Sequence, residues 1–254
     1  MKHYKAYCFD LDGTVYKGLD PILEAKEFIE YLQHQGIEPF FATNNAKMTG
    51  GQVQKKLNKM GIEAKVDHIM TSAMATAKYI ANNFPNKTVK VLGGDGLKQA
   101  ILDEGMEIVT EDPDVLVQGM NTELTYQMLA DACYDIQKGA KFVATNGDIK
   151  FPSEYGFAPG NGALAELIHN VTDVAPIYVG KPAPHMLEII RQEFNLQKEE
   201  MVMIGDNYDT DILAGINYGI DTLHVNTGVT RTEAVKGKEQ PATYTVETLL
   251  EWIR

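Results

Sequence analysis

Short, uniformly apolar runs recur along this chain, each stopped by a glycine or polar cluster and followed by residues at helical spacing. Ala6 to Phe9 is the first run, and it ends in Asp10-Leu11-Asp12-Gly13-Thr14. Asp20-Pro21 reads as a helix start, a cap residue before proline. Ile22, Ala25, Phe28, Ile29 and Leu32 then line one helical face, which Gly36 ends. Pro39 to Ala42 is a second apolar run, stopping at Thr43-Asn44-Asn45. Thr49-Gly50-Gly51-Gln52 fits a capping box, and Val53, Leu57 and Met60 carry that helix to Gly61. His68 to Thr71 predicts a strand, and Ala73 to Asn83 a helix.

In the middle, strands are expected at Val89 to Leu92 (ending in Gly93-Gly94-Asp95-Gly96), Val115 to Val117 and Phe142 to Ala144. Helices are expected from Leu124 to Ile136 and from Pro159-Gly160-Asn161-Gly162 to His169. The strand-helix rhythm then resumes: Ile177 to Val179 before Gly180-Lys181-Pro182, a helix marked by Leu187, Ile190 and Phe194, and Met201 to Ile204 before Gly205-Asp206. A helix with Ile212, Leu213 and Ile216, a strand at Thr222 to Val225 and a terminal helix from Val246 to Ile253 complete the chain.

Strands alternating with helices predict a parallel sheet covered by helices. Strands apolar on both faces agree, because parallel strands are buried on both sides. The fold class expected is therefore α/β: a doubly wound, parallel, Rossmann-like sheet with an inserted α/β unit. The core takes residues 1–80 and 177–254, and the insertion takes 81–176.

Composition narrows the partners. The 254 residues are 44% hydrophobic and 23% charged, as in ordinary globular proteins. A net charge of -12 argues against nucleic acid and against anionic membranes. It leaves room for a small anionic substrate in a locally positive cleft. Cys8 and Cys133 are far apart, with no CxxC or Cys/His cluster, so zinc is not expected. No apolar run reaches the roughly 20 residues that span a bilayer, and the N-terminus lacks a signal-peptide core. A cytoplasmic protein is expected; a homo-oligomer is left open.

The chemistry lies where the strands stop. Asp10 and Asp12 sit two residues apart, so in a strand they point the same way. On that stretch alone, a solvated Asp-Gly turn accounts for the pattern equally well. Lys181 alone reads as a loop lysine, and Thr43-Asn44-Asn45 as a capped turn. Taken together, four strand ends carry complementary groups: Asp10 with Asp12, Thr43 with Asn44, Lys181, and Asp206 with Asp211. In a doubly wound sheet these ends share one edge, where ligands bind. Against a phosphate dianion, each carboxylate at about 4 Å would cost roughly 4 kcal/mol at an effective dielectric near 20. Lys181 cannot offset that alone. A hard divalent cation can, and carboxylate oxygens suit Mg²⁺.

Asp10-Leu11-Asp12-Gly13-Thr14, Thr43-Asn44-Asn45, Gly180-Lys181-Pro182 and Gly205-Asp206-Asn207-Tyr208-Asp209-Thr210-Asp211 resemble, in order and spacing, the four motifs of the haloacid dehalogenase superfamily. The insertion between Thr43 and Lys181 resembles the C2-type cap of its NagD-like, p-nitrophenyl-phosphatase-like branch. Ala46-Lys47 departs from the pattern, since Ser often stands first there. The resemblance implies a Mg²⁺-dependent hydrolase of small phosphomonoesters, such as sugar phosphates or nucleotide monophosphates. It implies Asp10 as nucleophile, forming an aspartyl-phosphate, and Asp12 as general acid and then base. Thr43 and the Asn44 N–H would hold phosphate oxygens, and Lys181 would neutralise both Asp10 and the phosphoryl group. Asp10, Asp206 and the Asp12 carbonyl would ligate Mg²⁺, with Asn207 and Asp211 on its waters. Asn45 and Asn146 are candidate substrate contacts; Tyr126 reads more simply as a helix start and Asn161 as a cap. A phosphomutase or a non-catalytic phosphometabolite-binding protein could use the same motifs.

Overall fold

The computed structural model describes residues 2–153 and 155–253, which fall into two compact units. The first comprises residues 1–43, 50–70 and 181–254. Among its described residues a six-stranded sheet runs in the order Tyr244–Val246, Asp221–Val225, Met201–Gly205, Ala6–Phe9, Phe40–Thr43 and Ile69–Thr71. The ladders that join the first five of these strands are parallel, with Phe9 level with both Ile204 and Phe41. Both central strands are buried throughout, which is why they read as unbroken apolar runs. That register decides where the chemistry falls. One residue beyond Phe9 stands Asp10, two beyond Ile204 stands Asp206, and two beyond Phe41 stands Thr43. The first helix, Leu23–His34, packs Ala25, Phe28, Ile29 and Leu32 inward. Phe28 meets the rings of Tyr7 and Phe9 edge-on.

Local differences from the sequence reading have physical causes. Asp20–Pro21 does not open the helix: it pairs antiparallel with Tyr16–Lys17, and Ile22 caps the helix instead. The C-terminal stretch is not one helix. Tyr244–Val246 adds an edge strand, and only Leu249–Trp252 is helical, behind a Thr248 capping box. Pairing with the exposed sheet edge outcompetes helix propensity there.

The second unit comprises residues 44–49 and 71–180. It has its own parallel sheet, ordered Ile177–Tyr178, Lys141–Ala144, Val115–Gln118 and Val89–Leu92. Two segments near the expected domain borders belong to it. Helix Ser72–Asn83 packs on helix Asp95–Asp103, and strand Ile177–Tyr178 pairs with Lys141–Ala144. Helices Tyr126–Gln137 and Asn161–Thr172 cover one face through Ala132, Cys133, Ile136, Ala165 and Ile168. A hairpin, Lys150–Ser153 with Gly156–Pro159, was not anticipated, and neither was the helix starting at Asp95.

Candidate active site

Asp10 leaves the sheet at the point where its N–H still bonds the Ile204 carbonyl (2.8 Å). The chain then folds back on itself: Val15 and Tyr16 N–H both donate to the Leu11 carbonyl, and Gly13 takes φ +99°. Only glycine adopts that conformation without strain. A Cβ on Gly13 would also stand 2.6 Å from the Asp206 carboxylate. The turn thus brings the Asp10–Thr14 segment against the end of a strand nearly two hundred residues away.

Three carboxylates meet here. Asp10, Asp206 and Asp211 each offer an oxygen within 4.8 Å of the others. Lys181 lies between two of them, its Nζ donating to Asp10 Oδ1 (2.6 Å) and Asp211 Oδ1 (2.7 Å). All four residues are buried: Lys181 and Asp206 at 1% exposure, Asp211 at 2%, Asp10 at 9%. Burial pushes the Asp10 carboxyl well above its ordinary range, and the Asp211 charge adds to this against the pull of Lys181. Asp206 is raised for the same first reason, opposed by hydrogen bonds from the Val229 N–H and the Thr14 hydroxyl. For Lys181 burial alone would lower the pKa, but Asp10 and Asp211 outweigh it and the ammonium is held charged.

Lys181 arrives differently from the sequence expectation. Its preceding strand belongs to the second unit's sheet, so Lys181 does not sit at a strand end of the first sheet. It stands on the turn that leads into helix His185–Glu193, and its bond to Pro182 is cis. Asp211 joins two of these segments. Its Oδ1 is on Lys181, and its Oδ2 accepts from the Asn207 N–H (3.1 Å). Gly205 makes this possible, since a Cβ there would lie 2.2 Å from the Asp211 Cβ. The Asn207 side-chain oxygen caps the next turn by accepting from the Asp209 N–H. Asp12 is exposed, beside Tyr16 and facing solvent. Thr43 ends its strand, buried.

The remaining candidates lie in the second unit. Asn44 donates to both Asp148 oxygens (3.3 Å). Asn45 is exposed, its Oδ1 accepting from the Lys47 N–H. Asn146 is buried, donates to the Asn44 carbonyl (2.8 Å) and accepts from the Asp148 N–H (3.1 Å). Its amide ties two loops of one unit, because a buried amide must find such partners. Tyr126 begins its helix and is highly exposed, and Asn161 is buried at the start of another, bonded to the Asn146 carbonyl.

The sequence reading gave no role to Thr14 or to the loop after strand Asp221–Val225. Thr14 donates to Asp206 Oδ1 (2.9 Å), and Val229 N–H to Oδ2 (2.7 Å). The one available signal was Asn226-Thr227-Gly228, a turn sequence directly after an apolar run.

Comparisons with known proteins bear on the family. A haloacid dehalogenase-like hydrolase family model matches residues 7–107, and a second HAD hydrolase-like model matches 178–252. An acid sugar phosphatase of Staphylococcus epidermidis is 46% identical, the match covering 98% of this chain and 96% of the relative. That of Staphylococcus aureus (strain MRSA252) is 45% identical over 100% and 98%. Among solved structures, a variant of the thermostable p-nitrophenylphosphatase from Bacillus stearothermophilus superposes with TM-score 0.91 at 43% identity, covering 99% of each chain. The p-nitrophenyl phosphatase from Archaeoglobus fulgidus gives 0.93 at 29%, again covering 99% of each. The chain belongs to the haloacid dehalogenase superfamily, in its NagD-like, p-nitrophenyl-phosphatase-like branch.

Proposed function

We propose that this chain is a Mg²⁺-dependent phosphatase of small phosphomonoesters, sugar phosphates or nucleotide monophosphates, acting through an aspartyl-phosphate on Asp10. Family membership supports the reaction class, hydrolysis of phosphoric monoesters, and the relatives' names support small substrates. The observation that carries the reading is the charge count: three buried carboxylates surround one ammonium, leaving two formal negative charges in a dry site. An all-oxygen, anionic donor set of this kind fits a hard divalent cation. The Asp10 and Asp206 carboxylates and the Asp12 carbonyl would hold it. When bound, Mg²⁺ supplies charge neutralisation for the phosphoryl group.

The chain's own residues do the rest. Asp10 attacks phosphorus, and the bond to the ester oxygen breaks. Asp12 donates the proton that the leaving alkoxide takes, then accepts one from the water that cleaves the aspartyl-phosphate. Its exposed position suits a group that trades protons with solvent. Lys181 opposes the effect of burial on Asp10, favouring its charged form, and balances charge on the phosphoryl oxygens, and Thr43 with the Asn44 N–H holds those oxygens. The test is release of phosphate from p-nitrophenyl phosphate and a sugar-phosphate panel, with Mg²⁺ and with EDTA. Asp10→Asn should abolish turnover and weaken Mg²⁺ binding, whereas Asp12→Asn should abolish turnover and leave Mg²⁺ binding nearly intact. Equal activity in wild type and Asp10→Asn sinks the proposal. Transfer between sugar positions without free phosphate would mark a mutase, and binding without turnover a sensor.

A further inference from the structure

A fifth segment bears on the carboxylate cluster, the loop Asn226-Thr227-Gly228-Val229-Thr230 that follows strand Asp221–Val225. We propose that this loop, together with Thr14, is a positioning strap that sets the Asp206 carboxylate and the Asp10–Thr14 turn for the cation. The proposal rests on the reading of Asp206 as an ion ligand.

An ionised carboxylate has about four lone-pair sites and turns freely unless something holds it. Here each oxygen is held by a different piece of chain, Oδ1 by the Thr14 hydroxyl at 2.9 Å and Oδ2 by the Val229 N–H at 2.7 Å. The plane of the carboxylate is thereby fixed while each oxygen keeps acceptor capacity. The strap also grips the other side of the site: the Thr227 hydroxyl donates to the Gly13 carbonyl at 2.6 Å. The two halves of the ion site, far apart in sequence, are therefore linked through one loop. Gly228 lets the loop come this close. A Cβ there would stand 1.9 Å from Asp206 Oδ2. Its φ lies outside the left-handed region, so the requirement is for space and not for backbone freedom.

The strap is itself anchored. The Asn226 N–H donates to the Val246 carbonyl (3.1 Å), and the Thr230 N–H to the Asp206 carbonyl (3.0 Å). His224 Nε2 lies 3.2 Å from the Asp206 carbonyl and 2.9 Å from the Thr230 carbonyl. Both are acceptors, so Nε2 carries the proton. The Thr230 hydroxyl accepts from the Tyr208 N–H (3.0 Å), which joins the loop to the turn bearing Asp211. Groups behind a metal ligand commonly change ion affinity by ten- to a hundredfold, so a strap of this kind should be measurable as affinity.

The experiment is calorimetric titration of the full chain with MgCl₂ alone, paired with thermal melting in EDTA. Gly228→Ala should weaken Mg²⁺ binding by about tenfold or more, and Thr227→Val by several-fold. Thr227→Ser, which keeps the hydroxyl, should restore wild-type affinity. Ion-free melting should change little for the Thr227 variants, and Thr227→Val carries the test should Gly228→Ala not fold. Wild-type Mg²⁺ affinity in both Gly228→Ala and Thr227→Val overturns the strap while leaving the ion reading intact. An affinity loss in Thr227→Val that Thr227→Ser does not restore, accompanied by a matching fall in ion-free melting, also overturns it. No Mg²⁺ binding by wild type removes the ion reading, and the strap with it.

Discussion

At the scale of single residues, the site is held by a conflict that one side chain resolves. Lys181 is the ammonium between Asp10 and Asp211, and all three are buried. Removing one partner of a buried ion pair leaves an uncompensated charge, which costs roughly 3–5 kcal/mol. Lys181→Met should therefore lower ion-free stability by about that amount in urea titration, besides abolishing turnover. Asp10→Asn should do the reverse to stability. It removes a carboxylate that burial and Asp211 already disfavour as an anion, so its melting point in EDTA should equal or exceed that of wild type while activity is lost. A lower ion-free melting point would contradict the repulsion argument. Asp10 was legible in the sequence because the apolar run stops just before it and Gly13 marks the turn, whereas strand alternation does not set the direction of Asp12, since the strand ends at Phe9 and Asp12 lies exposed in the turn. The Asp211–Lys181 pair was not, since both motifs could be recognised without revealing which groups tertiary folding would set 2.7 Å apart.

At the scale of elements, the motifs depend on helices that have their own ties. Glu188, on helix His185–Glu193, receives Arg191 Nη2 at 3.0 Å and Nε at 3.3 Å, and also the hydroxyl of Tyr218 at the end of helix Leu213–Tyr218. The Arg191 bonds, ahead of Tyr218 and Gln192, hold its carboxyl down at about 2, against 4.5 for a free glutamate. A depressed carboxyl stabilises the fold at pH values above the free value and ceases to do so as pH falls through the folded one. Glu188→Gln should thus cost about 1 kcal/mol at neutral pH, a modest figure because solvent reaches the pair. The gap in melting point between variant and wild type should close between pH 4.5 and 2; a gap independent of pH would refute this account. Elements with one clear period were readable in the sequence, and the failures share a cause. The hairpin Lys150–Ser153 with Gly156–Pro159 is short and mixed, and the edge strand Tyr244–Val246 exists because Asp221–Val225 offers it partners. The helix after Gly94 was hidden by a glycine-rich start that also reads as a turn.

At the scale of the whole molecule, the two parallel sheets explain why alternation alone implied one rhythm and still assigned strand Ile177–Tyr178 to the wrong sheet. A strand of two residues, both half-buried, carries no mark of which sheet it joins. The unit bearing the carboxylates holds the chain's single tryptophan, Trp252, stacked near Tyr4 and edge-on to Tyr244. Its fluorescence should follow unfolding of that unit by itself. A ligand at a hundred times its dissociation constant stabilises by about 2.7 kcal/mol, so saturating Mg²⁺ should raise the tryptophan-detected midpoint by roughly 5–10 °C. The pH dependence of that rise has a definite sign. Asp10 and Asp206 are raised in the folded state, chiefly by burial. Their folded forms favour the proton, so their stabilising contribution exists at low pH and is lost as pH rises through the folded values. Burial disfavours the ionised forms of both carboxylates in the ion-free protein, and a bound Mg²⁺ would relieve them. As pH falls, protons take the place of the ion, and the Mg²⁺-induced rise should shrink while the midpoint in EDTA gains relative to it. A Mg²⁺ increment that grows on acidification would mean that the ion is held by groups other than these buried carboxylates.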